Sequence, residues 1–220
     1  MSNLILPRQI AAAMQEGARP TDATFDRFLP HDLELVSGTY WTPIEVAMRV
    51  ATWLDDLGVE TVMDIGSGAG KFCVAAAIAS KCRFVGLEQR PRLVIAARQL
   101  ARKFGVEDRV QFVVGGLDEI ATIPVSAYYL FNPFGENHFG AGRRLDDDVE
   151  LSPGRYARDV FVVETLFRNA PLGTYVITYN GFGGKLPDTY VQSRVDRQMP
   201  NMLRMWQKTR PPPDSSEHAG

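Results

Sequence analysis

The stretch Val62-Met63-Asp64-Ile65-Gly66-Ser67-Gly68-Ala69-Gly70-Lys71-Phe72 decides the fold of this 220-residue chain. The apolar, β-branched run over 59–65 reads as a buried strand that ends beside an acid. Three glycines at alternate positions then form a turn in which the backbone itself can approach a ligand. The following 69–80 segment is helical, with Phe72, Ala75, Ala76 and Ala79 on one face. Two nucleotide motifs fail against this turn. A phosphate-binding loop ending in Gly70-Lys71 needs glycine at Ile65 and a hydroxyl residue at Phe72. The dinucleotide fingerprint G-x-G-x-x-G needs glycine at Lys71.

Outward from this unit the same alternation continues. Residues 82–88 read as a second strand ending in Glu88, and Pro91 opens a helix that runs to Phe104 and stops at Gly105. Strands follow at 109–114, 124–132 and 173–179, with a helix opened by Ser152 and Pro153 before the last of them. Strands alternating with helices pair in parallel through right-handed crossovers, which predicts an α/β, doubly wound, mostly parallel sheet. Residues 203–208 are predicted as a final antiparallel edge strand. Towards the N-terminus, 4–16 and 25–37 read as short helical pieces, and Thr42 as the N-cap of a helix with Pro43 at its first position and Glu45 completing a capping box. The organisation expected is a helical extension or lid over 1–40, a catalytic domain over 41–208 and a flexible tail over 209–220.

Composition narrows the function. With 24 Lys and Arg against 26 Asp and Glu, the chain lacks the basic field of a protein that coats nucleic acid. Arg90, Arg92, Arg98, Arg102 and Lys103 lie on one predicted helix, and against this overall charge a solvated flank is a better account of them than a nucleic-acid face. Cys73 and Cys82 are too few for a disulfide framework or a zinc site, so no metal is expected. The opening MSNLILPRQI has no secretory character and no apolar run approaches a membrane span, so a cytoplasmic location without membrane attachment is expected.

Glu88 stands 18 residues past Gly70, at the end of the second strand, where a carboxylate can accept both hydroxyls of a ribose. The pair VMDIGSGAGKF and FVGLE resembles the signature of the class I, seven-strand S-adenosylmethionine (SAM) methyltransferases, over roughly residues 40–185. The resemblance implies SAM as cofactor, held by Asp64, Gly66, Ser67, Gly68 and Gly70, with Glu88 on its ribose. An acid that many members carry after strand three is Gly116 here. Asp118 therefore stands as an alternative adenine contact or a turn cap, with the backbone of Gly116 and Leu117 also available. Tyr40 and Thr42, flanking Trp41, either close over SAM or serve only as a staple and a cap.

The fourth strand ends in Asn132-Pro133-Phe134-Gly135-Glu136-Asn137-His138. Asn132 offers an amide oxygen and Pro133 leaves the preceding carbonyl free, a pair of acceptors for an N–H nucleophile, while Phe134 can cover a cation. The stretch is similar to the Asn-Pro-Pro-aromatic motif of amino-methylating enzymes and to the Asn-Asn-Phe stretch of the non-SET histone-lysine methyltransferases. Bacterial members of the class with Tyr-Trp-Thr-Pro and Asn-Pro-Phe-Gly-Glu elements resemble the whole chain most. His138 reads equally as a general base or a surface histidine, and Glu136 is a weaker candidate. The function expected is methyl transfer from SAM to a nitrogen of a protein or small molecule rather than a nucleic acid. The alternatives are an NAD(P)-linked oxidoreductase and a catalytically silent SAM-binding partner.

Overall fold

The computed structural model describes residues 6–117, 123–198 and 201–211. Among these, four short helices open the chain: α1 (Pro7–Gln15), α2 (Asp22–Asp26), α3 (His31–Leu35) and α4 (Ser37–Tyr40). Then come α5 (Ile44–Asp56), β1 (Thr61–Ile65), α6 (Lys71–Ala79), β2 (Arg83–Glu88), α7 (Pro91–Phe104), β3 (Val110–Val114), β4 (Ala127–Phe131), α8 (Pro153–Asn169), β5 (Tyr175–Tyr179), β6 (Tyr190–Asp196) and β7 (Leu203–Lys208). The strands form one seven-stranded sheet in the order β3-β2-β1-β4-β5-β7-β6. The pairs from β3 through β5 are parallel, and β7 runs antiparallel to both its neighbours.

The fold is the predicted doubly wound sheet, with one correction at its far end and one at α5. The strand over 203–208 is not an edge. It is inserted between β5 and β6, and β6 is the edge that sequence patterning missed. Being an edge explains the miss: Val191, Gln192 and Ser193 are exposed, so β6 carries no apolar signature. The second correction concerns α5. Thr42 does not cap it; Pro43 holds the cap position, and the Asp22 carboxylate accepts the Ile44 N–H at 2.9 Å. Ser152 does cap α8, accepting from the Arg155 N–H.

Side chains of β1 alternate between two cores. Val62 joins the larger one, built with α1, α5, α6 and α7, whereas Met63 and Ile65 join a smaller one under α8. Helix α6 lies within the larger core and is apolar all round, as a helix buried on every side must be. The chain leaves β1 for β2 and β3 and returns to β4 on the other flank of β1. Ligands in open α/β sheets bind at such a reversal, outside the carboxyl ends of the strands. No helix among the described residues is long and apolar enough to cross a membrane.

Candidate functional site

A cavity of about 460 Å3 opens at that reversal point. Its floor is the β1 turn, where Gly66 and Gly68 both adopt left-handed backbone (φ +79° and +54°). A side chain at Gly68 would run into the Trp41 ring, which lies across it within 2.2 Å of a Cβ position, and one at Gly66 would meet Pro133 at 2.9 Å. The turn therefore fits only as glycine, pressed between Trp41 and the end of β4.

Glu88 lies in this cavity, buried, at the end of β2. Its two oxygens accept the Gly68 N–H at 3.0 Å and the Arg90 N–H at 2.9 Å. Each carboxylate oxygen retains a lone pair, so the group can take two further hydroxyl donors. Burial pushes its pKa up, opposed by those N–H bonds and the Arg90 charge. Leu87, Leu93, Leu117 and Phe134 add apolar walls, and the backbone of Gly115 and Gly116 adds polar edges. A vicinal diol and a flat base have partners here, so this lining fits the adenosine part of SAM. Among the described residues no cluster of three metal-ligating side chains occurs.

The site residues read from sequence fall into groups. Gly66, Gly68, Glu88, Gly116, Leu117, Tyr40, Asn132, Pro133 and Phe134 line the cavity. Asp64, Ser67 and Thr42 instead line a small pocket that shares Tyr40, Trp41, Gly66 and Phe131 with the cavity, and Gly70 lines neither. Asp64 is buried beneath the turn, where Cys73 donates its thiol at 3.4 Å. Burial pushes the Asp64 carboxyl up to about 7; the thiol bond opposes this and the Glu88 charge adds to it. Ser67 faces the backbone of Gly86, and a side chain at Gly70 would collide with Phe112 and Ala97, so Gly70 lets α6 pack closely. The Thr42 hydroxyl pairs with that of Tyr129 at 2.9 Å, and Tyr129 in turn stacks on Phe72 at 3.6 Å. Asp118 lies outside the described residues.

At the end of β4, Asn132 itself is left-handed (φ +40°). Its side chain lies against Gly135, and its carbonyl accepts the Gly135 N–H at 3.0 Å. The carbonyl is thus engaged in a turn, and among the described residues the side-chain amide has no hydrogen-bond partner. Glu136 accepts from Arg90 at 2.9 Å and from the Leu145 N–H at 2.7 Å. His138 is exposed, with its ring edge-on to Tyr156.

Two features of the site were missed in the sequence. Arg90 is not a solvated flank but is buried, joining Glu136 to Asp146, which Arg92 also binds. Burial alone would lower the Arg90 pKa, but these two acids raise it. The network folds the 134–151 connection over the cavity, where Tyr40 donates to the Arg143 carbonyl. Lys71 is buried as well, and its ammonium lies 2.6 Å from Asp22 and 2.8 Å from Asp26. Only a long-range match between residue 71 and acids some 45 positions earlier could have signalled it, and no local pattern encodes that.

Residues 58–129 match a family model described as a methyltransferase domain. The ribosomal protein L11 methyltransferase of Enterobacter sp. (strain 638) is 36% identical over 61 residues, covering 27% of this chain and 21% of that protein. The chain thus spans about a fifth of the length of such curated relatives. Among solved structures, an RNA methyltransferase from Salinibacter ruber in complex with S-adenosyl-L-homocysteine aligns over 79% of this chain and 97% of its own, at 26% identity and a TM-score of 0.55. An O-methyltransferase from Bacillus cereus shares the fold over 91% of this chain and 97% of its own, at 12% identity and a TM-score of 0.56.

Proposed function

We propose that the chain, whose residues 58–129 match a methyltransferase-domain model, binds SAM in the 460 Å3 cavity and methylates a nitrogen acceptor at Asn132. The observation that carries this reading is the sharing of one cavity by the Glu88 carboxylate, the Gly66–Gly68 turn and the Asn132-Pro133-Phe134 stretch. Helix α4 frames the cavity through Gly38, Thr39 and Tyr40, which supports the reading of 1–40 as a lid on a domain over 41–208.

When bound, SAM supplies a methyl group activated on a sulfonium. Glu88 accepts the ribose hydroxyls, and the backbone of Gly116 and Leu117 meets the base. The Asn132 amide oxygen accepts an acceptor N–H and orients the nitrogen lone pair, and alignment of this kind supplies much of a rate enhancement. SAM held there would supply the methyl for the new C–N bond, the electrons of its C–S bond going to sulfur, and the nitrogen's proton would pass to water. The wall acids Glu136 and Asp159 are held by Arg90 and Arg155, so the amine must reach Asn132 already neutral.

The acceptor is a nitrogen of a protein side chain or small molecule. The named relatives methylate a ribosomal protein and RNA, so a nucleobase is the competing acceptor. Isothermal titration with S-adenosylhomocysteine tests the cofactor site. Saturable binding is expected, weakened about tenfold or more in Glu88→Ala, since hydrogen bonds to a charged group contribute ~1.5–3 kcal/mol each. No binding to the wild-type chain would sink the proposal. Label transfer from tritiated SAM to fractionated lysate then finds the acceptor. Loss of transfer in Asn132→Ala with cofactor binding intact separates an enzyme from a silent binding partner.

A further inference from the structure

We propose that a second cavity, on the α8 face of the sheet, docks the methyl acceptor, and that this acceptor is a flat aromatic ring carrying an anionic group. The inference rests on the methyl-transfer reading above and adds to it a place and a chemical class.

The cavity encloses about 590 Å3, within the range of small-molecule sites. Strand β7 builds one wall by simple alternation. Leu203 and Met205 point into the larger core, so Arg204 and Trp206 point the other way. Register places Trp206 opposite Val176 and Arg204 opposite Thr178 on β5. Phe182 and Tyr190 add further aromatic surface, and Trp206 is only half-buried, so a ring face remains for stacking.

The charge on the same wall has one predominant sign. Lys185 and Arg204 are exposed on it, against Asp188 alone. Among the described residues Lys185 bonds only through its backbone N–H, to Glu164, and the Arg204 guanidinium has no ion pair. Two cations without carboxylate partners beside a tryptophan match an anion attached to a ring: the ring stacks and the anion bonds the guanidinium.

Asn180 lines both cavities. It is left-handed (φ +60°), and its N–H is held by the Met202 carbonyl at 3.1 Å. One residue on, the Gly181 carbonyl accepts the Asn132 N–H at 3.0 Å. Asn132 and Asn180 therefore end adjacent parallel strands in the same uncommon conformation, and one hydrogen bond ties Asn132 to the residue after Asn180. Such backbone persists where surrounding structure imposes it and clusters at functional sites. Register sets Trp206 four residues down β5 from Asn180, so an acceptor anchored by its ring on Trp206 must be long enough to run past Asn180 before its reactive nitrogen meets Asn132.

The test uses the full chain. S-adenosylhomocysteine is titrated first, and that result judges the cofactor reading by itself. Adenosine 5′-monophosphate and anthranilate are then titrated separately with S-adenosylhomocysteine at saturation, so that the first cavity is filled. At least one probe is expected to bind saturably at millimolar concentration or below. The phosphate arm alone points to a nucleotide source, and the carboxylate arm alone to an aromatic acid. The surface variant Lys185→Gln/Arg204→Gln should weaken that probe about tenfold or more and leave S-adenosylhomocysteine binding unchanged. Binding of neither probe, or equal binding to wild type and variant, overturns the proposal.

Discussion

Asp64 is a carboxyl group buried under the glycine turn that follows β1, with a thiol for its hydrogen-bond donor. With its pKa lifted from an ordinary 3.8 to about 7, the folded protein holds a proton there that the unfolded chain has released. Between these values the native state binds more protons, so this group's contribution to stability falls as pH rises and is flat above 7. Each pH unit is worth ~1.4 kcal/mol, so the full effect is on the order of 4 kcal/mol. Asp64→Asn should therefore gain stability relative to wild type progressively from pH 4 to pH 7 and keep a constant advantage above, as read from urea midpoints. Parallel curves for the two proteins would contradict this. At this scale the sequence revealed chemistry better than position. Gly66, Gly68, Glu88 and Asn132 were legible from motif spacing, and all reach the cavity. The outward reach of Asp64, Ser67 and Gly70 was not legible, because the same turn packs Gly70 against Phe112 and leaves Asp64 below it.

Among the elements, α2 and α6 are joined by a buried ion pair. Lys71 is 2% exposed and bridges two aspartates of α2, one of which also caps α5. Removing one partner of a buried ion pair leaves an uncompensated charge and costs ~3–5 kcal/mol. Lys71→Ala should lose about that much stability by denaturant unfolding. Lys71→Met combined with Asp26→Asn should recover part of it, because the stranded charge is gone. Equal stability of the two variants would show that the ion pair is not the cause. Helices with an apolar stripe and a clear stop, such as α7 ending at Gly105, were legible almost to the residue. The capping of α5 was not, because its partner Asp22 comes from another element and local spacing pointed to Thr42 instead. Edge strand β6 was missed for the converse reason, since a strand with little to bury writes little in its sequence.

For the molecule as a whole, a ligand that binds only the native state stabilises it by mass action. S-adenosylhomocysteine at 100 times its dissociation constant should contribute ~2.7 kcal/mol. For a chain of this size that corresponds to a rise in Tm of about 5–11 °C, readable by calorimetry. The two faces of the sheet differ in cover: among the described helices, α1, α5, α6 and α7 crowd one, while α8 covers the smaller core. That imbalance was not legible, since periodicity identifies a helix without saying which face it covers. The clamp between Lys71 and α2 also bears on how the chain is made. During synthesis Phe25, Leu29 and Trp41 leave the ribosome before Lys71 and well before Phe104, on whose ring Phe25 stacks at 4.4 Å. At ~5–20 residues per second the first segment waits several seconds for its partners, with its apolar side chains open to chaperones.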